Sequence, residues 1–191
     1  MCSRYGMDEA VHGWLNNHCI RELASREWAT DVRPNNEAPV LIVGADAPTI
    51  VPMTWGMKTS SGQIVINARK ETLWEKPMFR ASIKHRRCLL PASQFYEWDA
   101  NKHKVTFRAK ESSMIYLAGI YREDGDGCRF VVITTAANDV MRPVHDRMPK
   151  LVPGHLITQW LYDENSAKVI LDSANVNLRR DEPILQMSLW E

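Results

Sequence analysis

Hydrophobic and polar residues follow two different patterns along the chain, a helical one at the start and a β-rich one after it. Over residues 8–24 the apolar side chains recur at the spacing of one helix face. They are Val11, Trp14, Leu15, Cys19, Ile20 and Leu23. Asp8 and Glu9 stand at the start of this segment, where negative charge suits the helix dipole. The pattern therefore predicts a first helix here, followed by a turn at Pro34 to Asn36.

From Val40 onward the pattern changes to short runs of β-branched and aromatic residues, which predicts strands. The predicted strands span 39–43, 49–55, 63–67, 87–90, 93–98, 104–109, 115–122 and 129–135. Residues 123–127 contain two glycines and predict a hairpin loop. Helices are predicted at about 75–85, about 154–163 and about 165–173. The chain 1–191 therefore reads as one α+β domain with a bent or barrel-like, mostly antiparallel sheet flanked by helices.

Composition narrows the class of protein. The 191 residues are 45% hydrophobic and 25% charged, which excludes a disordered, collagen-like or coiled-coil chain. The 24 basic and 23 acidic residues give a net charge of +1, which excludes a polybasic tail but allows a local basic groove. No apolar run approaches the ~18 residues that would span a bilayer, and the first residues do not resemble a signal peptide. We therefore expect a cytoplasmic protein that does not interact with membranes.

The cysteines and acidic loops give no sign of a metal or cofactor. The four cysteines, at positions 2, 19, 88 and 128, form no C-x-x-C pair, so neither a zinc site nor a disulfide scaffold is predicted. The segment from Asp124 to Gly127 resembles part of a calcium loop but lacks the later ligands of an EF-hand. We expect a hairpin turn there, and no cofactor or metal in the protein.

Cys2 is the residue with the most specific chemistry. Removal of Met1 would leave Cys2 with a free α-amine beside its thiol, a 1,2-aminothiol that only an N-terminal cysteine offers. The amine attacks an aldehyde to give an imine, and the thiol then closes on the imine carbon to form a thiazolidine. The amine titrates near about 7.7–8.0 and the thiol near about 8.5, so both are usable near neutral pH. The alternative is a cysteine that stands at position 2 by chance.

Asn36 and Glu97 are the next candidates. The Asn36 amide can orient an amine or hold a carbonyl oxygen, although a self-capping turn residue is the alternative. Strand alternation puts Phe95 and Glu97 on one face and Tyr96 and Trp98 on the other. A carboxylate that shares a face with an aromatic residue is partly desolvated, which raises its pKa and suits acid/base chemistry. The alternative for Glu97 is an exposed position on a strand.

Histidine and arginine residues near the ends of strands supply proton transfer and phosphate binding. His145, Asp146 and Arg147 bring an imidazole, a carboxylate and a guanidinium together, although a structural turn with a His–Asp bond is the alternative. Arg69 follows a predicted strand and can grip a phosphate with its planar fork. Its alternative is a surface ion pair with Glu71.

Two of the seven tryptophans, Trp55 and Trp98, are expected outside the core. An indole ring there can stack on an unpaired base of a nucleic acid. The remaining tryptophans are assigned mostly to the core.

Taken in order, these motifs resemble the SRAP family, the SOS-response-associated peptidases that process abasic sites. The matching segments are Met1-Cys2-x-Arg4-Tyr5, Asn36-x-Ala38-Pro39, Trp55-Gly56, Asn67-Ala68-Arg69-x-Glu71-Thr72, Arg86-Arg87-Cys88-Leu89-x-Pro91-Ala92, Phe95-Tyr96-Glu97-Trp98, Thr134-Thr135-Ala136-Ala137-Asn138 and His145-Asp146-Arg147-Met148-Pro149. Two positions depart from the family pattern: Ser3 stands where glycine is usual, and Glu37 stands where an apolar residue is common.

The resemblance implies an α+β fold around a barrel-like sheet, and a covalent crosslink between the N-terminal cysteine and an abasic site in single-stranded DNA. It makes Cys2 the nucleophile after loss of Met1, with Asn36 positioning the amine and the sugar. It gives Glu97 a role in acid/base chemistry and in release of Met1 or reversal of the crosslink. His145 would assist opening of the deoxyribose ring. The implied DNA contacts are Arg4, Arg69, Arg147, Trp55 and Trp98.

The partner implied is single-stranded DNA with abasic sites, bound by a monomer that associates with the nucleoid when it holds DNA. A net charge of +1 predicts weak, salt-sensitive binding before the covalent step. Two other functions stay open. One is a thiol peptidase in which Cys2, His145 and Glu97 act on peptides. The other is a single-stranded DNA-binding module without chemistry.

Overall fold

The computed structural model describes residues 2–18, 23 and 26–181. The strands are β1 (Tyr5–Gly6), β2 (Asp31–Val32), β3 (Glu37–Ile42), β4 (Thr49–Trp55), β5 (Met57–Lys58), β6 (Ile64–Val65), β7 (Asn67–Arg69), β8 (Arg87–Ala92), β9 (Gln94–Trp98), β10 (Lys104–Ala109), β11 (Ile115–Asp124), β12 (Gly127–Ala136), β13 (Arg147–Pro149) and β14 (Leu178–Arg180). The α-helices are α1 (Glu9–His18), α2 (Pro77–His85), α3 (Ile157–Tyr162) and α4 (Glu164–Asp172), and short 3-10 turns cover Lys70–Thr72 and Gly154–Leu156.

A closed ring of strands forms the centre of the fold. Its order is β11, β8, β3, β4 and β12, and β12 pairs back with β11. All neighbours in the ring are antiparallel except β4 and β12, which are parallel and meet at Arg129↔Thr54 and Phe130↔Trp55. Further along β12, β7 pairs in parallel and β13 pairs antiparallel. The expected barrel-like, mostly antiparallel α+β fold is confirmed.

A second antiparallel sheet carries the N-terminus. Its order is β14, β10, β9, β1 and β2, so β1 lies between β9 and β2. Tyr5 is paired with Phe95, and the Tyr96 amide donates to the Arg4 carbonyl oxygen at 3.0 Å. Since β9 follows β8 after a single residue, this sheet is attached directly to the ring. The pairing therefore brings the start of the chain beside the strand that contains Glu97.

Several predicted elements match the structure closely. The expectations for 49–55 and 104–109 coincide with β4 and β10, and the predicted hairpin is the tight turn where Asp124 pairs with Gly127. Asp126 in that turn is held by Lys58 at 2.8 Å and Arg129 at 3.1 Å. No group of three potential metal ligands occurs among the residues that the structure describes.

Other expectations need correction. The single strand predicted over 63–67 is two strands, because β6 pairs with β5 while β7 pairs with β12. The helix predicted over 154–163 begins as a 3-10 turn, and Asp163 then caps α4 by accepting from Asn165 N at 3.1 Å and Ser166 N at 3.0 Å. Cys19 and Ile20 of the predicted first helix lie outside the described residues, as does Met1. Among described helices, none is long and apolar enough to cross a membrane.

Candidate active site

Cys2 lies just before β1, with its side chain completely buried. The thiol faces the Arg4 carbonyl oxygen at 3.9 Å, a weak contact. Burial raises the pKa of the Cys2 thiol to about 12, and the negative charge of Glu97 contributes to that rise. The sulfur is therefore a neutral thiol near pH 7, so any attack by it must be coupled to loss of its proton.

Asn67 holds the backbone of Cys2. Its Nδ2 donates to the Cys2 carbonyl oxygen at 2.8 Å, while its Oδ1 is buried without a hydrogen-bond partner among the described residues. Asn67 occupies this place because β7 pairs in parallel with β12, with Asn67 opposite Val132. Asn67 therefore makes a side-chain amide contact with Cys2 that was not expected, while the role predicted for Asn36, positioning the amine and the sugar, stays a prediction. The signal that pointed to it was its position at the head of the Asn67-Ala68-Arg69 motif.

Asn36 lies in an exposed turn. Its Oδ1 accepts a hydrogen bond from the Arg33 amide at 3.0 Å, and its carbonyl oxygen accepts from the Trp55 amide at 3.0 Å. Asn35, beside it, has a positive φ of 67°, a conformation that asparagine tolerates well. The geometry around Asn36 is that of the self-capping turn weighed as its alternative.

Glu97 faces the interior from the middle of β9 and is only 4% exposed. It shares its face with Phe95, whose ring stacks on Phe107 at 5.2 Å, as strand alternation predicts. Burial raises the pKa of the Glu97 carboxyl, and the nearby His145 opposes that rise. The expectation of a desolvated carboxylate with a raised pKa is confirmed. The charge of Glu97 contributes to the raised pKa of the Cys2 thiol, and His145 opposes the rise in the pKa of Glu97, so Glu97 neighbours both of the other two groups.

His145 has two competing neighbours at the same ring nitrogen. The Arg147 amide donates to His145 Nδ1 at 2.9 Å, and Asp146 Oδ1 lies 2.8 Å from the same atom. A neutral imidazole can accept from the Arg147 amide and keep its proton on Nε2. An imidazolium instead carries a proton on Nδ1 and can donate it to Asp146. The two contacts therefore correspond to the two charge states that proton transfer requires.

Two of the three candidate phosphate-binding arginines already bind carboxylates. Arg4 grips Asp31 through Nε at 2.6 Å and Nη2 at 2.5 Å, which lowers the pKa of the Asp31 carboxyl. Arg147 grips both oxygens of Glu71 at 2.9 Å, which lowers the pKa of that carboxyl. Glu71 is thus the partner of Arg147 and not of Arg69, whose side chain is exposed. Arg69 is the most accessible of the three.

The two tryptophans expected outside the core differ. Trp55 is completely buried, donates from Nε1 to the Ile66 carbonyl oxygen at 2.9 Å, and stacks on Phe130 at 6.0 Å. The expectation that Trp55 meets DNA is therefore corrected, because a ring enclosed in the core cannot stack on a base. Trp98 ends β9, is half-buried, and is paired with Lys104 of β10.

Solved structures with low sequence identity share the fold. A protein from Bacteroides thetaiotaomicron superposes with a TM-score of 0.75 at 22% identity, covering 95% of this chain and 92% of that one. A phage-related protein from Bordetella bronchiseptica also gives a TM-score of 0.75 at 22% identity, covering 97% of this chain and 95% of that one. These similarities concern the fold alone.

Curated relatives are named abasic site processing proteins. YoaM of Bacillus subtilis is 34% identical over 191 residues, covering 91% of this chain and 84% of YoaM. YoqW of the same bacterium is 34% identical over 128 residues, but the chain spans only 57% of its length. YedK of Escherichia coli is 29% identical, covering 88% of this chain and 82% of YedK. A family model, SOS response associated peptidase, matches residues 1–182, and the chain therefore belongs to the SRAP family.

Proposed function

We propose that this protein captures abasic sites in single-stranded DNA as a covalent thiazolidine on Cys2, once Met1 has been removed. The names of YoaM, YoqW and YedK support abasic-site processing as the activity. The observation that carries the finer proposal is the arrangement around Cys2. Asn67 donates a hydrogen bond to the Cys2 carbonyl oxygen, and the charge of the buried Glu97 contributes to the raised pKa of the Cys2 thiol.

The proposed reaction forms two bonds to one carbon of the sugar. The open-chain abasic sugar presents an aldehyde, and the α-amine of Cys2 adds to it to give a carbinolamine. Loss of the hydroxyl as water leaves an imine. The Cys2 sulfur then adds to the imine carbon while its proton passes to the nitrogen, which closes the thiazolidine ring. The balance is one carbon–nitrogen and one carbon–sulfur bond formed and one water released.

Glu97 and His145 are the proposed proton carriers. Departure of water needs an acid, and a carboxyl whose pKa is raised by burial keeps its proton to a higher pH than an ordinary glutamate. The neutral thiol needs a base as it attacks, which either Glu97 after giving up its proton or neutral His145 can provide. His145 is also suited to opening the sugar ring, because its two neighbours accommodate both charge states.

The proposed DNA contacts centre on exposed groups beside this site. Arg69 has no carboxylate partner among the described residues and is the first choice for a phosphate. A phosphate at Arg4 or Arg147 would compete with Asp31 or Glu71. Trp98, half-buried at the end of β9, is proposed to meet a base. Asn36 stays a proposed contact to the sugar, from its exposed turn.

The observed burial argues against a general thiol peptidase. A protease thiol attacks first and is activated by a lowered pKa, whereas burial raises the pKa of the Cys2 thiol to about 12. In the proposed capture the α-amine attacks first, and the thiol only closes the ring. We therefore limit the proposed peptidase activity to release of Met1 from this chain.

The test uses single-stranded DNA with one abasic site and a denaturing gel. The wild-type protein is expected to form an adduct that survives denaturation, and Cys2→Ala is expected to form none. Cys128→Ala is the matched control, since Cys128 is a half-buried free thiol on β12. An adduct that persists in Cys2→Ala would overturn the proposal. Binding of intact and abasic strands with equal affinity and no adduct would instead support a binding module.

A further inference from the structure

The positive charge of this chain is concentrated in one short segment. Residues 76–87 contain five of the 24 basic residues and none of the 23 acidic ones, and all of the five except the buried Arg87 are exposed. The rest of the chain therefore has a net charge of −4, although the whole carries +1. A uniform surface of a nearly neutral protein would not have such a concentration, and a local field of this kind favours an anionic partner.

Helix α2 arranges three of these cations along one exposed stripe. Lys76, Arg80 and Lys84 are spaced four residues apart and are all exposed. Phe79 and Ile83 on the opposite face are buried in the core, so the helix is held with its basic side outward. At a rise of about 1.5 Å per residue, the stripe is about 12 Å long. We call these three residues the α2 basic stripe.

The stripe is unfavourable for the helix itself. Like charges four residues apart each destabilise a helix slightly, and Lys76 at the N-cap opposes the helix dipole, whereas Lys84 in the last turn suits it. None of the three side chains has an ion pair with a described residue. Glu164 forms an ion pair with Lys168 at 3.1 Å, which lowers the pKa of the Glu164 carboxyl. The charge of Lys84 contributes to that fall. Glu75 precedes Lys76 in the sequence and Glu164 lies near Lys84, but neither forms an ion pair with the stripe.

The stripe begins beside the candidate active site. Arg147, two residues after His145, grips Glu71 at 2.9 Å, and Glu71 belongs to the 3-10 turn that precedes α2. The Lys76 amide donates to the Thr72 carbonyl oxygen at 3.0 Å, which joins that turn to the first residue of the stripe. These contacts connect the neighbourhood of His145 to the first residue of the stripe through the Lys70–Thr72 turn, with the exposed Arg69 directly before that turn.

We propose that the α2 basic stripe is a docking track for the phosphate backbone of the DNA strand that flanks the abasic site. The inference rests on the proposed function and adds to it a second contact surface outside the site. Its partner is the sugar-phosphate backbone, so the stripe contributes affinity without reading sequence. A local basic surface of this kind is compatible with the net charge of +1, which excluded only a polybasic tail.

The test measures the salt dependence of binding to an intact single-stranded 20-mer by fluorescence anisotropy. The variant is the triple Lys76→Gln, Arg80→Gln, Lys84→Gln. Loss of three phosphate contacts is expected to reduce the slope of log affinity against log salt by about 2, and to weaken binding about tenfold to 100-fold at 0.1 M salt. Lys76→Arg with Lys84→Arg keeps the charge and is expected to keep the wild-type slope.

The matched control removes the same charge elsewhere. Lys102→Gln, Lys110→Gln and Arg179→Gln change three exposed cations near or on the second sheet. A specific track predicts that this control leaves the slope close to that of the wild type. Equal slopes for the stripe variant and the control would overturn the inference, as would a wild type with no measurable affinity for the 20-mer.

Adduct formation by the same proteins, measured in parallel with a 20-mer that carries one abasic site, separates this inference from the proposed function. If the triple variant reduces the salt slope but the wild type forms no Cys2 adduct, the docking track is supported and the thiazolidine chemistry is overturned. An adduct that requires Cys2, with a slope that the stripe variant does not alter, would retain the chemistry and remove the track. Thermal unfolding of the triple variant is the fold check, and no loss of stability is expected because the three side chains are exposed.

Discussion

At the scale of single residues, three segments far apart in the sequence meet at Cys2. Residue types made Cys2, Glu97 and His145 candidates, and the resemblance to the SRAP family implied their roles. Asn67 was seen as part of a motif, but its contact with Cys2 depends on the parallel pairing of β7 with β12. Short-range patterns do not specify a parallel pairing between strands more than 60 residues apart, so they left Asn36 as the expected amide.

Replacing the two asparagines separately distinguishes their roles. Asn67→Ala removes the hydrogen bond to the Cys2 carbonyl oxygen, and we expect adduct formation at saturating DNA to slow about tenfold. Asn36→Ala alters an exposed turn, and a smaller effect is expected. Single-turnover rates from quenched samples provide the measurement. A larger loss for Asn36→Ala than for Asn67→Ala would refute this assignment.

The raised pKa of Glu97 predicts a pH dependence of the reaction. If protonated Glu97 is the acid, the rate of adduct formation stays constant at pH values where an ordinary carboxyl is already ionised. The rate then falls as the pH rises through the raised pKa of Glu97. Glu97→Gln is expected to slow the reaction and to abolish that limb. Rates for both proteins from mildly acidic to mildly alkaline pH test this, and an unaltered limb in Glu97→Gln would assign it to another group.

At the scale of elements, the length of each strand determined whether its sequence pattern could predict it. The longer strands carry enough alternation to be recognised, and β4 and β10 coincide with their predictions. Strands β1, β2, β13 and β14 were not predicted, because a strand of two or three residues is too short to show the alternation of apolar and polar residues. Since β1 and β13 flank Cys2 and His145, two of the elements that assemble the candidate site could not be predicted from pattern, whereas β9, which carries Glu97, was predicted over 93–98.

The closure of the ring gives Trp55 a structural role. Trp55 pairs with Phe130 where β4 meets β12, and its side chain is completely buried. We expect Trp55→Ala to lower the free energy of unfolding by about 3–5 kcal/mol. Trp98→Ala, at a half-buried position, is expected to cost much less stability and to weaken DNA binding. Denaturant unfolding of both variants tests this, and similar stabilities would contradict the core assignment.

Lys150 links the end of β13 to the end of α4. It is 1% exposed and donates from Nζ to the Ser173 carbonyl oxygen at 2.7 Å, and burial lowers its pKa from 10.5 to about 8. Because the unfolded chain binds this proton more tightly, the stability of the wild type relative to Lys150→Met should rise between pH 8 and 10.5, by up to about 3 kcal/mol. Denaturant melts at both pH values measure it. A difference between the two proteins that is independent of pH would contradict the lowered pKa.

At the scale of the whole molecule, a chain with a net charge of +1 combines the buried Cys2 with a localised basic surface. Weak electrostatic contact through the α2 basic stripe and Arg69 is proposed to hold the strand while the slower covalent steps take place. Net charge and composition excluded a polybasic tail, but they did not locate the charge, because its position follows from which helix face is buried.

Intact mass spectrometry of the purified protein, before and after incubation with abasic single-stranded DNA, tests the central claim most directly. We expect the mass of Met1 to be absent, and the protein then to gain the mass of the DNA less one water. Cys2→Ser should gain no stable mass. A gain of the full DNA mass, an adduct on a protein that retains Met1, or a stable adduct in Cys2→Ser would contradict thiazolidine capture by Cys2.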